Sequence, residues 1–312
     1  MKPIRSLDEL INDLKGQPPR KVVVAAGQDE NTIEAAHRAA SEKIAEIVLV
    51  GDGEKIRALC REKKLDPGIF TIVEEKDDYK AGATARNMVK EGRGDCLMKG
   101  LIGTDKYMHL ILDKEQGLLP KGAVLTHLTV IDSPFYQKSH GKLLFVSDVA
   151  IIPQPDLPTK VKILEYLILA AHSFGIEKPK AALLAANEKV SDKMPATLEA
   201  AVITKMADRG QIKGAVVDGP LALDVAISKE ACEIKGLKSA VGGDADLLLF
   251  PNIESGNVFY KAVTNLGGAR LAAVVVGTMA PCILTSRADD EESKFFSIAL
   301  GCRLAMKNNA KN

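Results

Sequence analysis

Four stretches of the chain place polar residues directly after apolar runs, where open α/β sheets collect ligands at their strand ends. In Leu97-Met98-Lys99-Gly100-Leu101-Ile102-Gly103-Thr104, an apolar strand runs into Lys-Gly and a small-residue turn. Lys99 there can hold an anion, with Gly100 and Gly103 letting the backbone approach; a solvated loop lysine gives the same pattern. In Leu125-Thr126-His127-Leu128-Thr129, which leads on to Phe145-Val146-Ser147-Asp148, hydroxyls and an imidazole can donate to phosphate or to a carbonyl oxygen. An ordinary half-buried strand also alternates in this way. Asp218-Gly219-Pro220-Leu221-Ala222-Leu223-Asp224 reads as strand, tight turn and helix start, with Asp224 either binding a ligand group or complementing the positive helix end. In Cys282-Ile283-Leu284-Thr285-Ser286-Arg287, apolar residues give way to Thr-Ser-Arg and then to the acidic run Asp289 to Glu292. Helix N-termini bind anions through unpaired amides. Ser286 offers a hydroxyl, and Arg287 a planar fork that grips two phosphate oxygens. The competing reading is a helix cap followed by carboxylates that suit the dipole and would repel phosphate unless turned away.

The elements that position these stretches follow from hydrophobic spacing. Residues 21–26 (KVVVAA), 46–50, 70–75 and 95–100 read as strands, separated by helices at 30–45, 54–63 and 80–91. This βαβα rhythm predicts a parallel sheet covered on both faces. Residues 142–153 read as a strand ending at Pro153. Helices at 158–174 and 198–209 alternate with strands at 181–187 and 215 onward. A strand at 246–253, a helix near 256–266, a strand at 271–278 and a last helix at 289–307 complete the chain. A length of 312 residues predicts two domains at ~150 residues each, and the Pro-rich passage 153–158 reads as their junction.

Composition narrows the function classes. The formal net charge of +1 supplies no bulk field for nucleic acid or an anionic membrane. The 4% aromatic content and the lack of Trp argue against a base-stacking platform. Five scattered cysteines with no CxxC pair argue against a disulfide framework or a Cys-rich zinc site and fit a reducing cytoplasm. No apolar run approaches the ~20 residues of a membrane span, and the charged N-terminus lacks a signal-peptide core. A P-loop, a complete dinucleotide fingerprint, a nucleophile elbow and an H-E-x-x-H zinc motif are all missing.

Longer stretches add a resemblance. MPATLEAAVITKMADRGQIKGAVVDGPLALDVAIS, GGDADLLLFPNIESGNVFYK and VVVGTMAPCILTSRADD, with LMKGLIGTDKYM and LTHLTVIDSP, are similar to the phosphate acetyl/butyryltransferase family, more closely to its butyryltransferase branch. The resemblance spans nearly the whole chain. It implies a three-layer α/β/α fold in two domains, like that of isocitrate and isopropylmalate dehydrogenases, with a cleft between them. A discontinuous first domain would cover 1–149 and 279–312, and a second domain 150–278. The implied reaction converts acyl-CoA and phosphate reversibly to acyl phosphate and CoA by direct attack in a ternary complex. Coenzyme A is then substrate and product, and neither a metal nor a covalently bound cofactor is needed.

The resemblance also implies roles for single residues. Ser286 and Arg287 match the family's Ser-Arg pair at the last helix. Asn257 and Lys261 match its G-N-x-x-x-K segment beside the cleft, and Thr126 stands where relatives carry Ser or Thr near phosphate. Lys99, Thr104 and His127 complete the expected substrate-binding set. The acetyltransferase branch carries a catalytic Asp a few residues past the Ser-Arg pair, where this chain reads Glu292-Ser293; Asp290 is the candidate proton shuttle instead. Members are typically homodimers, and the continuously apolar runs in 181–278 point to the second domain as the contact. Competing functions are phosphate acetyltransferase, an NAD-dependent decarboxylating dehydrogenase of shared fold, and a silent CoA- or acyl-phosphate-binding protein.

Overall fold

The computed structural model describes residues 2–285 and 289–308. The chain divides into a first compact unit, residues 7–125 with 271–312, and a second, residues 1–6 with 126–270. The first unit begins with α1 (Leu7–Lys15), β1 (Arg20–Ala25), α2 (Glu30–Ser41), β2 (Ala45–Gly51), α3 (Gly53–Glu62), β3 (Thr71–Glu74), α4 (Asp78–Lys90), β4 (Cys96–Lys99) and α5 (Thr104–Leu112). The second holds β5 (Thr126–Asp132), α6 (Pro134–His140), β6 (Leu144–Ser147), α7 (Leu157–Ser173), β7 (Lys180–Leu184), α8 (Pro195–Asp208), β8 (Val216–Leu221), α9 (Leu223–Ile227), α10 (Lys229–Ile234), β9 (Leu247–Leu249) and α11 (Ile253–Asn265). The chain then returns through β10 (Arg270–Val276), β11 (Cys282–Ile283) and α12 (Glu291–Asn308).

Short polar side chains set the helix starts. Asp29 accepts from Thr32 N at 3.0 Å, Asp77 from Lys80 N at 2.8 Å, Asp156 from Thr159 N at 3.0 Å and Asn252 from Ser255 N at 3.0 Å. Each such cap is worth ~0.5–2 kcal/mol against alanine. The strand order of the first unit is β3-β2-β1-β4-β11-β10, parallel except for the antiparallel pair β10 and β11. Val22, Val23, Val24 and Ala25 of β1 are all fully buried, so both faces of this strand are covered; α4 and α12 pack on it. In the second unit the order is β5-β6-β9-β7-β8, again parallel except for β5 against β6. Val146, Ala182, Leu221, Leu248 and Phe250 belong to its core.

Several sequence expectations are corrected. The sheets are not purely parallel, because β5 and β10 run against their neighbours. Residues 142–153 hold only the short strand β6; the Asp148 carboxylate captures the amides of Ala150 and Ile151 and turns the chain. The Pro-rich passage lies inside the second unit, where Pro158 occupies the first turn of α7 behind the Asp156 cap. The compact units meet at 125/126 and 270/271, and the expected domain bounds were 149/150 and 278/279. Among the described residues no helix is long and apolar enough to cross a membrane.

Candidate active site

In the first unit, β1, β4 and β11 finish together. Ala25 pairs with Lys99, and Ile283 with Met98. Lys99 is 2% exposed, and its Nζ donates to Gly100 O at 3.3 Å. The Gly100 and Leu101 amides donate to Ala25 O and Ala26 O at 2.9 and 2.7 Å. A Cβ on Gly100 would collide with those carbonyls, so only glycine allows this approach. The chain then reaches Gly103, which starts α5 without a side-chain cap, and Thr104 is exposed at its first position. The two residues predicted from this stretch thus sit around one loop, a buried ammonium at one end and an uncapped helix start at the other. Both features favour an anion, while the Asp105 carboxylate in the same first turn works against one.

The start of α12 is fastened to α2. Lys294, 2% exposed, bonds Asp29 Oδ2 at 2.8 Å and Thr32 Oγ1 at 3.2 Å. Asn31 Nδ2 donates to Asp289 O at 3.2 Å, and Arg38 reaches Glu291 at 3.5 Å. Burial pushes the Asp29 carboxyl up, but bonds from Lys294 and Thr32 outweigh it and hold the group below its ordinary value. Burial also raises Glu291, which Arg38 offsets only in part. Asp290 is exposed, and its Oδ1 accepts from Ser293 N at 2.9 Å, so it caps the helix. Ser286 and Arg287 lie outside the described residues. The preceding Thr285 is 4% exposed, and its Oγ1 has no hydrogen-bond partner among the described residues.

In the second unit, the antiparallel β5 brings its first residues beside the end of β6. Asp148, 2% exposed, is the hub there. Its Oδ2 accepts from Thr126 Oγ1 at 2.7 Å and His127 N at 3.1 Å, and its Oδ1 from Ala150 N at 2.7 Å and Ile151 N at 2.9 Å. Ser147 Oγ donates to His127 O at 2.8 Å. Asn257 Nδ2 donates to Val149 O at 2.9 Å, which ties α11 to the same loop. Gly256 permits this, since a Cβ there would strike Asp148 O. His127 is 7% exposed, its Nδ1 3.1 Å from Thr129 Oγ1. Burial lowers its affinity for a proton, although the Asp148 charge works the other way.

Thr126, His127 and Asn257 are therefore brought together, and Lys261 is exposed one turn along α11 from Asn257. Thr126 is fully buried, and its hydroxyl donates to Asp148 Oδ2. Asp148 itself was absent from the predicted set. Its signal was an ionisable residue set among apolar neighbours in Phe-Val-Ser-Asp-Val-Ala. Among the described residues no group of three or more His, Cys, Asp or Glu is placed to hold a metal ion.

The chain matches the family model for phosphate acetyl/butaryl transferase over residues 6–87 and 79–302, and it belongs to that family. Among curated relatives, a phosphate butyryltransferase of Clostridium acetobutylicum is 43% identical over 97% of this chain and 99% of its own. A phosphate acetyltransferase of Thermotoga maritima is 40% identical over 96% and 99%. Among solved structures, a branched-chain phosphotransacylase from Enterococcus faecalis V583 aligns with a TM-score of 0.80 at 30% identity, covering 92% of this chain and 99% of that one.

Proposed function

We propose that this enzyme transfers a butyryl group, or another short acyl group, reversibly between coenzyme A and phosphate. The observation that carries this reading is the 43% identity to a phosphate butyryltransferase along almost the full length of both chains. A phosphate oxygen attacks the thioester carbonyl, a C–O bond forms, and collapse of the tetrahedral intermediate breaks the C–S bond and releases CoA thiolate. Phosphate is already an anion and needs placement more than activation. Holding both substrates in reacting geometry can supply ~7–11 kcal/mol of the barrier. Arg287 is assigned to phosphate and Ser286 to the oxyanion or the leaving thiolate. Lys99 with the open start of α5 adds positive potential, which its burial strengthens.

Acyl length is the finer choice. One methylene is worth only ~1–3 kcal/mol of discrimination, and the acetyltransferase of Thermotoga maritima is nearly as similar in sequence. We assign butyryl on the stronger match. The test is thioester formation from CoA and acyl phosphates of two to six carbons: the highest kcat/KM should fall at four carbons, and a maximum at two would replace butyryl by acetyl. The reading includes no metal and no bound cofactor, so chelators should leave the rate unchanged. It also includes a homodimer, supported by Leu169, Leu198 and Val202 on α7 and α8 of the second unit, which are 49%, 41% and 45% exposed. A monomer mass by light scattering at micromolar concentration would remove the dimer. Five free thiols support a reducing cytoplasm.

A further inference from the structure

We propose that His127 acts as a neutral imidazole whose Nε2–H donates a hydrogen bond to the thioester carbonyl oxygen, and that Thr129 is the positioning residue that fixes this tautomer. The inference rests on the acyl-transfer reading given above. It starts from the hydroxyl of Thr129, which is 1% exposed and lies 3.1 Å from His127 Nδ1. That ring nitrogen is its only hydrogen-bond partner among the described residues. A hydroxyl carries one proton. If Nδ1–H donated to Thr129, the threonine proton would be buried with no acceptor, the costly arrangement for a polar group. If Thr129 donates instead, both atoms are satisfied and the ring proton must sit on Nε2.

The rest of the surroundings agrees. The His127 amide is held by Asp148 Oδ2 and its carbonyl by Ser147 Oγ, so the backbone carrying the ring is fixed on both sides. The ring is almost wholly enclosed, which favours the uncharged form against the pull of the Asp148 carboxylate, the charged group beside it. With Nδ1 turned inward onto Thr129, Nε2 is the nitrogen left for a ligand, in the same loop cluster as Asn257.

A neutral N–H donor suits a carbonyl. When the phosphate oxygen attacks, the carbonyl π pair moves onto oxygen, and a preorganised donor there gains strength in the transition state. His127 gives up no proton in this step; the negative charge leaves with the CoA thiolate.

The test combines kinetics with nitrogen-15 spectra of the histidine ring, assigned by the loss of one signal in His127→Gln. The wild-type ring should be neutral with its proton on Nε2. Thr129→Val should lower kcat about tenfold or more, with the phosphate KM within about twofold, because the lost interaction belongs to the acyl group. Thr129→Ser should restore most of kcat. His127→Gln, which keeps an N–H near the Nε2 position, should outperform His127→Ala. A wild-type ring protonated on Nδ1 would overturn the proposal. So would a folded Thr129→Val with unchanged kcat. If Thr129→Val fails to fold, the spectra, Thr129→Ser and the His127 pair still decide. An absence of phosphate-dependent transfer in the wild type would instead overturn the functional reading, and the ring spectra would still report the tautomer.

Discussion

The two units end their parallel strands in opposite chemical styles. At the end of β6 a buried carboxylate is saturated by donors from Thr126, His127, Ala150 and Ile151, and the loop is tied to α11 by Asn257. At the end of β4 the groups are a buried ammonium, a helix start without a side-chain cap and an exposed Thr104. The first fixes neutral donors around a carboxylate, and the second fixes a buried ammonium beside a helix start. The difference teaches that strand-end position alone does not set the chemistry of a site; local hydrogen-bond saturation does.

The strongest way to break the comparison is to empty the saturated side. Asp148→Ala leaves a hydroxyl and three amides without their acceptor. At ~1–3 kcal/mol for each group left unsatisfied, partly relieved by entering water, denaturant unfolding should show a loss of about 3 kcal/mol or more, and acyl transfer should collapse. A loss under about 1 kcal/mol would mean that the carboxylate is not the hub.

For the Ser-Arg pair of the proposed function, Arg287→Ala should raise the phosphate KM at least about tenfold while leaving the acyl-CoA KM nearly constant. A charge-assisted bond contributes ~1.5–3 kcal/mol, and ~1.4 kcal/mol is one decade. Arg287→Lys should recover only part, since an ammonium lacks the paired geometry. Reduced thermal stability with an unchanged phosphate KM would make Arg287 a fastener of the last helix.

A smaller effect separates fastening from chemistry at α12. Lys294→Met removes the buried partner of Asp29 and should cost about 1–2 kcal/mol near neutral pH. Because the folded carboxyl lies below its unfolded value of 3.8, its contribution is present above that pH and is lost as pH falls through the folded value. The gap between variant and wild type should therefore narrow in acid, measured by denaturant midpoints from pH 6 down to pH 2 on the scale of ordinary carboxylates, about 4. A constant gap would contradict the ion pair. Smallest of all, Asp290→Ala should cost about 1 kcal/mol through the lost cap, and Asp290→Asn almost nothing. Both should keep kcat; a large fall in Asp290→Asn would restore the proton shuttle.

Much of the fold was legible because hydrophobic periodicity is a local property. KVVVAA, EIVLV and LAAVVV announce β1, β2 and β10 within a residue or two. Helix α5 was missed: its buried residues Tyr107, Leu110 and Ile111 sit at helical spacing, but the Gly-rich approach reads as turn. Asp148 was missed for a different reason. Its four donors come from β5 and from the loop after β6, which meet only once β5 folds back against β6, and no local pattern encodes that meeting. His127 and Thr129 were visible as an i, i+2 pair, yet only the buried geometry assigns a direction to the bond between them.

The most direct measurement is the initial rate of free thiol release from butyryl-CoA as phosphate is varied, without NAD or divalent metal. The account predicts a rate that saturates with phosphate, with butyryl phosphate formed in equal amount to the thiol. Thiol release that is independent of phosphate, or none from any short acyl-CoA, would contradict it.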